Sequence, residues 1–188
     1  DLATQQGARS LILTYNHSLV SDIKRTLALA EIPDGIDDYT VNISTLHKFF
    51  YELVVGFEIG DSVKESKNNK KYILGFVQNY ENHLNTLKEY LDLNLIGEKE
   101  ISELMKTRHE QVGWDYLLID EAQDWSELEK GIIIKIFGKS RVIIADGVDQ
   151  LIRSQNKCNW TRALKPNIDF KKTHEKKGLR QKVNLVDF

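Results

Sequence analysis

An α/β fold, an open parallel sheet flanked by helices, is what this sequence predicts, and three observations predict it. Four short runs, LILTYN (11–16), VNIST (41–45), YLLID (116–120) and VIIAD (142–146), are apolar, β-rich and end in a polar residue. Near-continuous apolar runs suit strands covered on both faces, as in a parallel sheet; a sheet with one wet face would alternate. Helical periodicity fills the intervals, and strand, helix, strand in that order reads as parallel pairing. In such sheets ligands sit outside the carboxyl ends of the strands, where Asn16, Thr45, Asp120 and Asp146 fall.

The elements follow in order. After the first run, SLVSDIKRTLALAEI places Leu19, Ile23, Leu27 and Ala30 on one face of a helix, with Ser18 as the expected N-cap. The interval from Phe49 to Gly113 is too long for a simple crossover. It carries a polar, lysine-rich loop, DSVKESKNNKK, and then two helical patterns, NYENHLNTLKEYLDL and EKEISELMKTRHE. We read it as a small helical insertion at 51–113, between a first sheet-forming part at 1–50 and a second at 114–188. The last helix, WSELEKGIIIKIF, has Ser126 as cap, Glu127 and Glu129 in the first turn, and Leu128, Ile132 and Ile136 on its inner stripe.

Composition narrows the class. The 188 residues are 41% hydrophobic and 29% charged with a formal net charge of −2, an ordinary globular profile long enough for one core. No apolar run approaches the roughly 20 residues of a membrane span, and the first residues show neither a basic start nor an apolar core of a secretory signal. The single cysteine, Cys158, cannot form an internal disulfide, so a cytoplasmic setting is expected. Near-neutral charge decides nothing about nucleic acid, although basic residues do gather in FKKTHEKKGLRQK, 170–182. The five histidines lack metal-ligand spacing, which with one cysteine argues against zinc.

The chemistry concentrates in YLLIDEAQDW, where an apolar run ends at once in Asp120 and Glu121. In nucleotide hydrolysis the first carboxylate of such a pair holds Mg²⁺ and the second orients or deprotonates the attacking water. A strand end suits them because their positions must be rigid while the site stays open. An apolar run followed by Asp-Glu is a weak signal, since strands often end in acidic turns. The extension to Asp-Glu-Ala-Gln-Asp is more restrictive.

LLIDEAQD resembles motif II of the UvrD/Rep-type superfamily 1 helicases. Other segments resemble that family's motifs in its order. LILTYNHSLVSDIK is similar to segment Ia, which contacts single-stranded DNA, and STLHKFF to motif Ib, with Thr45 and His47 in the threonine-x-histidine pattern. VIIADGVDQLIR resembles motif III and LRQKVNLVDF motif IV. The helical insertion falls where the family carries subdomain 1B. The resemblance implies a RecA-like P-loop NTPase sheet, ATP and Mg²⁺ as ligands, and single-stranded DNA as partner, with RNA left open. It implies Asp120 as Mg²⁺ ligand, Glu121 as catalytic carboxylate, and Gln150 and Arg180 at the γ-phosphate. One residue more than the family's Asp-x-x-Gln spacing leaves Asp149 as the rival of Gln150. Tyr15, Asn16, Thr45, His47 and Trp160 would follow the DNA, with stacked bases worth about 1–3 kcal/mol each. Trp125 is a further stacking candidate, although core packing is the commoner fate of a tryptophan, and Phe49 and Phe50 read as core. Gln123 and Asp124 read as bridges within the site.

One part of the pattern has no counterpart. The partner of motif II is the phosphate loop GxxxxGK[ST], and these 188 residues contain none. DLATQQGARSLILTYN resembles the end of the helix that follows that loop, and motif IV leads in the family into a second RecA-like domain. The expectation is therefore a piece of a larger motor, inactive alone, whose remaining domains complete the site. Its rival is a stand-alone truncated module that binds nucleic acid or a protein partner without turnover. A metal-dependent nuclease built on Asp120, Glu121 and Asp146 would leave the ordered motifs unexplained.

Overall fold

The computed structural model describes residues 8–32, 40–59, 75–145 and 158–161. The chain divides into two compact units, Asp1–Cys158 and Asn159–Phe188. The first holds an α/β fold with four parallel strands in one sheet: β1 (Ser10–Thr14), β2 (Val41–Thr45), β3 (Tyr116–Ile119) and β4 (Val142–Ile144). Their order is β2-β1-β3-β4. All four expected runs form strands: β1, β3 and β4 stop before the polar residue that closes the run, and β2 ends on it, at Thr45.

Register fixes what shares the carboxyl edge. Thr14 lies opposite Thr45, and Leu13 opposite both Ile43's successor Ser44 and Ile119. The next residue, Asp120, donates its backbone N–H to the Leu13 carbonyl at 2.9 Å. Ile119 pairs with Ile144 on the other side. From β1 the chain leaves toward β2, and from β3 toward β4, so the two connections diverge. That divergence is a topological switch point, and it opens the crevice in which open α/β sheets bind ligands. The β1 carboxyl end supplies Tyr15 and Asn16 to its rim, and the β3 carboxyl end supplies Asp120 and Glu121.

Burial follows position in the sheet. Central β1 is buried at four of five residues, as its unbroken apolar run requires, while β2 and β3 alternate buried with half-buried residues. The helices supply the cover. α1 (His17–Leu29) joins β1 to β2, and its cap is Asn16, whose Oδ1 accepts from the Ser18 N–H at 2.9 Å. This corrects Ser18: the side chain one position outside the helix reaches the free amide, and Ser18 is the donor's residue. Leu19, Ile23 and Leu27 are half-buried, and Ala30 is exposed at the C-cap.

α2 (Leu46–Gly56) leaves β2 without a loop, because Thr45 ends the strand and caps the helix, its Oγ1 accepting from Lys48 N–H. It runs unbroken through residues 50 and 51 and buries Leu46, Phe49, Phe50, Leu53 and Val54. A helical turn at 75–78 precedes α3 (Tyr80–Asp92), followed by α4 (Glu98–Thr107) and the short α5 (His109–Val112). α3 packs on α2 and on α6 (Glu127–Phe137), and α5 packs on α2. The helices of the insertion interval thus share the core of the sheet-bearing unit. α6 begins with a full capping box, Ser126 Oγ accepting from Glu129 N–H and Glu129 Oε2 from Ser126 N–H. Ile132 and Ile136 of its expected stripe are buried, and Leu128 is half-buried.

Arg9 anchors the amino end of β1. The residue is 2% exposed; its guanidinium lies 4.3 Å over the Trp114 ring and donates to the carbonyls of Gly113 at 2.6 Å and His109 at 3.0 Å. Its backbone N–H donates to the Asp115 carboxylate at 2.8 Å, and its carbonyl accepts from Asp115 and Tyr116. The approach to β3 is thereby locked beside the start of β1.

No helix among the described residues is long and apolar enough to cross a membrane.

Candidate functional site

The acidic loop after β3 is short and tightly held. Residues Ala122–Asp124 form one turn of 3₁₀-helix between β3 and Ser126, the cap of α6. Three segments pin it. Leu13 of β1 accepts from Asp120 N–H, Ala145 after β4 accepts from Ala122 N–H at 2.9 Å, and the Gln123 carbonyl accepts from Cys158 N–H at 2.9 Å. Gln123, Asp124 and Trp125 are buried, whereas Asp120 and Glu121 are half-buried. The two acidic residues thus keep partial exposure at the end of β3, while the residues behind them are fixed.

Glu121 has an unusual backbone. Its φ of 49° and ψ of 47° lie in the left-handed region, which costs a non-glycine residue about 1–2 kcal/mol. Among the described residues three other non-glycine residues adopt positive φ, Glu31, Glu58 and Asn94. Each of those follows a helix, where a left-handed residue terminates the winding; Ile32 and Ile59 N–H groups close the corresponding bonds to Leu27 and Val54. Glu121 instead precedes a helical turn, and its side chain makes no capping bond there. Backbone strain without a capping reason concentrates at functional sites. Its carboxylate is held too, since Gln123 Nε2 donates to Glu121 Oε2 at 2.5 Å.

On the β1 and β2 side of the crevice the expected DNA-facing residues separate into two kinds. Asn16 and Thr45 use their side-chain oxygens as helix caps, Asn16 exposed and Thr45 buried. Tyr15 and His47 present rings. Tyr15 is 39% exposed, and its ring centroid lies 5.4 Å from that of half-buried His47. A third ring extends the line: Tyr80 of α3 lies 4.8 Å from His47. Tyr80 also packs edge-on against Phe50 and Phe76. Trp125 is 2% exposed against Phe50, so it is a core residue and no stacking platform. Phe49 and Phe50 are core, as expected.

The expected γ-phosphate residues Gln150 and Arg180, with Asp146, Asp149, the lysine-rich loop and the basic run at 170–182, lie outside the described residues. Trp160 belongs to the second unit, where it is half-buried in a turn; there Asn159 Oδ1 accepts from the Thr161 N–H at 3.1 Å.

Two residues at the site escaped the sequence reading. Tyr80 opens a helical pattern whose sequence gives no hint that its hydroxyl crosses to α6. Glu129 is legible as an acidic residue of the first helical turn, but not as a fully buried carboxyl group that also accepts from Tyr80 Oη at 2.8 Å. Both contacts are remote in sequence, and only packing creates them.

Among the described residues no group of three or more His, Cys, Asp or Glu side chains gathers as a metal cage. A hydrated Mg²⁺ needs none: one or two carboxylates suffice when substrate phosphates and water complete its octahedron. Asp120, half-buried at a strand end, fits that limited role.

Comparison of the chain with protein-family models, with curated proteins and with solved structures gives no match in any of the three.

Proposed function

We propose that this chain is the central part of the first RecA-like domain of a UvrD/Rep-type superfamily 1A DNA helicase, with a reduced 1B-like insertion. One observation supports this above the others. The Asp-Glu pair stands at the switch point of a parallel sheet, with Glu121 in a strained left-handed conformation that does not terminate a helix.

In this reading Asp120 would hold Mg²⁺, which would supply charge neutralisation to the phosphates of ATP. Glu121 aligns the attacking water and takes its proton. Gln123 holds one oxygen of Glu121 and so restricts how the carboxylate can turn. Gln150 and Arg180 answer to the γ-phosphate by resemblance to motifs III and IV. The phosphate loop and the second RecA-like domain come from the remaining domains of the parent helicase. Tyr15 and His47 stack on unpaired bases of single-stranded DNA, a sequence-tolerant contact because every base has a π-face.

The experiment is fluorescence anisotropy with a labelled oligothymidylate and a duplex competitor. Binding is expected to favour the single strand, and Tyr15→Ala with His47→Ala to weaken it by about tenfold or more, from the loss of one or two stacked bases. An oligothymidylate that does not bind, or a double variant that binds unchanged, overturns the nucleic-acid part of the reading.

A further inference from the structure

The ring line Tyr15–His47–Tyr80 does not stop at the crevice. Tyr80 Oη donates to Glu129 Oε1 at 2.8 Å, and Glu129 Oε2 accepts from the Ser126 backbone N–H at 2.7 Å. Ser126 caps α6 and directly follows the acidic loop and Trp125. Glu129 is fully buried, and both its oxygens are engaged by these two donors. A group shared in this way cannot follow one partner without disturbing the other, because each link is a directional hydrogen bond in a packed interior.

We propose that Tyr80 is a positioning residue that couples occupancy of the aromatic face by single-stranded nucleic acid to the setting of the acidic loop, through Glu129 and Ser126. The inference rests on the reading of Tyr15 and His47 as a stacking surface. A base seated on Tyr15 presses on His47, whose ring leans on Tyr80 at 4.8 Å. The hydroxyl of Tyr80 then shifts Glu129, and Glu129 shifts the Ser126 amide at the end of the loop that carries Asp120 and Glu121. α3, which bears Tyr80, packs directly on α6, which bears Glu129, so the hydroxyl bond rides on an existing helix contact. The insertion thereby acquires a role in the acidic site that its sequence position does not suggest.

The test uses the full chain carrying 5-fluorotryptophan, with the Trp125 resonance assigned by Trp125→Phe and Trp114 as an internal reference beside Arg9. Adding oligothymidylate is expected to shift the Trp125 resonance and leave Trp114 in place. Tyr80→Phe keeps the ring and removes the hydroxyl. Glu129→Gln keeps an acceptor for Tyr80 but sets an amide against the Ser126 N–H. Each variant is expected to abolish the Trp125 shift while binding the oligothymidylate within about threefold of the parent, since ring stacking is retained. A merely structural role would lower melting temperature and affinity together and leave the residual shift proportional to binding. If the oligothymidylate binds but the Trp125 resonance stays still, or moves equally in both variants, the coupling is overturned and the nucleic-acid reading stands. If it does not bind at all, that reading fails and the coupling with it. Should Tyr80→Phe not fold, Glu129→Gln alone decides.

Discussion

Gln123 Nε2 and Glu121 Oε2 meet at 2.5 Å across a turn in which Gln123 is 1% exposed and Glu121 stands in the left-handed region. The buried amide therefore holds a strained carboxylate at the mouth of the crevice. The bond opposes the strain, and the two can be separated by substitution.

Glycine relieves left-handed strain wherever it occurs, but only at one of two positions does it also remove a bond. Glu58, exposed after α2, has φ 54° and no engaged carboxylate to lose beyond its helix-terminating backbone. Glu58→Gly is expected to stabilise the fold by about 1 kcal/mol. Glu121→Gly gains the same relief and loses a hydrogen bond to a charged group, about 1.5–3 kcal/mol, so it should not stabilise. Urea denaturation of both variants decides; equal stabilisation would show that the Gln123 contact contributes nothing.

Arg9 is expected to resist conservative replacement. Lysine keeps the charge but has no planar face for Trp114 and no fork to reach the Gly113 and His109 carbonyls together. Arg9→Lys should cost about 2–4 kcal/mol. Gly113→Ala attacks the same joint from the other side, because a Cβ there would lie 2.6 Å from the Met105 carbonyl oxygen and 2.8 Å from the His109 Cα. A loss of about 1–3 kcal/mol is expected. Thermal unfolding of either variant at the parental temperature would refute the anchoring role.

Cys158 should be chemically quiet. Burial pushes its thiol up to about 12 from an ordinary 9.0, and the carboxylate of Glu127, 3.6 Å from Sγ, pushes the same way. The native thiol is therefore protonated at pH 8, and iodoacetamide should label it far more slowly in buffer than in urea. The sign for stability follows. The raised folded value favours the protonated thiol, so its contribution is complete below about pH 9 and is lost as pH rises from there toward 12. Labelling at equal rates in buffer and urea would contradict the buried placement.

The 188-residue polypeptide is expected to hydrolyse no ATP at a useful rate. It contains no GxxxxGK[ST], so the amide cradle and lysine that grip the β- and γ-phosphates are not supplied by its own sequence. A DNA-stimulated ATPase of this chain that Glu121→Gln abolishes would refute that expectation.

What the sequence made legible was local. LILTYN, VNIST, YLLID and VIIAD show as strands because an apolar run that stops at a polar residue needs no distant partner to be recognised. Ser126 shows as the cap of α6 and Glu129 as a first-turn acid for the same reason, since both lie within one turn. Asn16 was missed as a cap because Asn-His-Ser offers two capping side chains two residues apart, and only backbone geometry at Asn16 chooses between them. The unseen parts of the site are long-range. Tyr80 meets Glu129 across 49 residues, and Arg9 meets Gly113 across 104. Trp125 shows the limit in the other direction: beside the acidic motif it stays a stacking candidate on sequence alone, and only its packing against Phe50 assigns it to the core.

The pairing of β1 with β3 has a kinetic side. Leu13 waits for Ile119, so the central strand cannot complete its second edge until roughly 100 further residues have been made, about 5–20 s of synthesis. During that interval the nascent chain offers Ser10–Thr14, buried at four of its five residues in the finished fold, bound to β2 alone and open on the other side. Closing so long a loop is slow as well as late. Newborn chains should therefore depend on holding factors at the ribosome more than the stability of the finished fold would suggest, and the insertion, by lengthening the wait, sets how long.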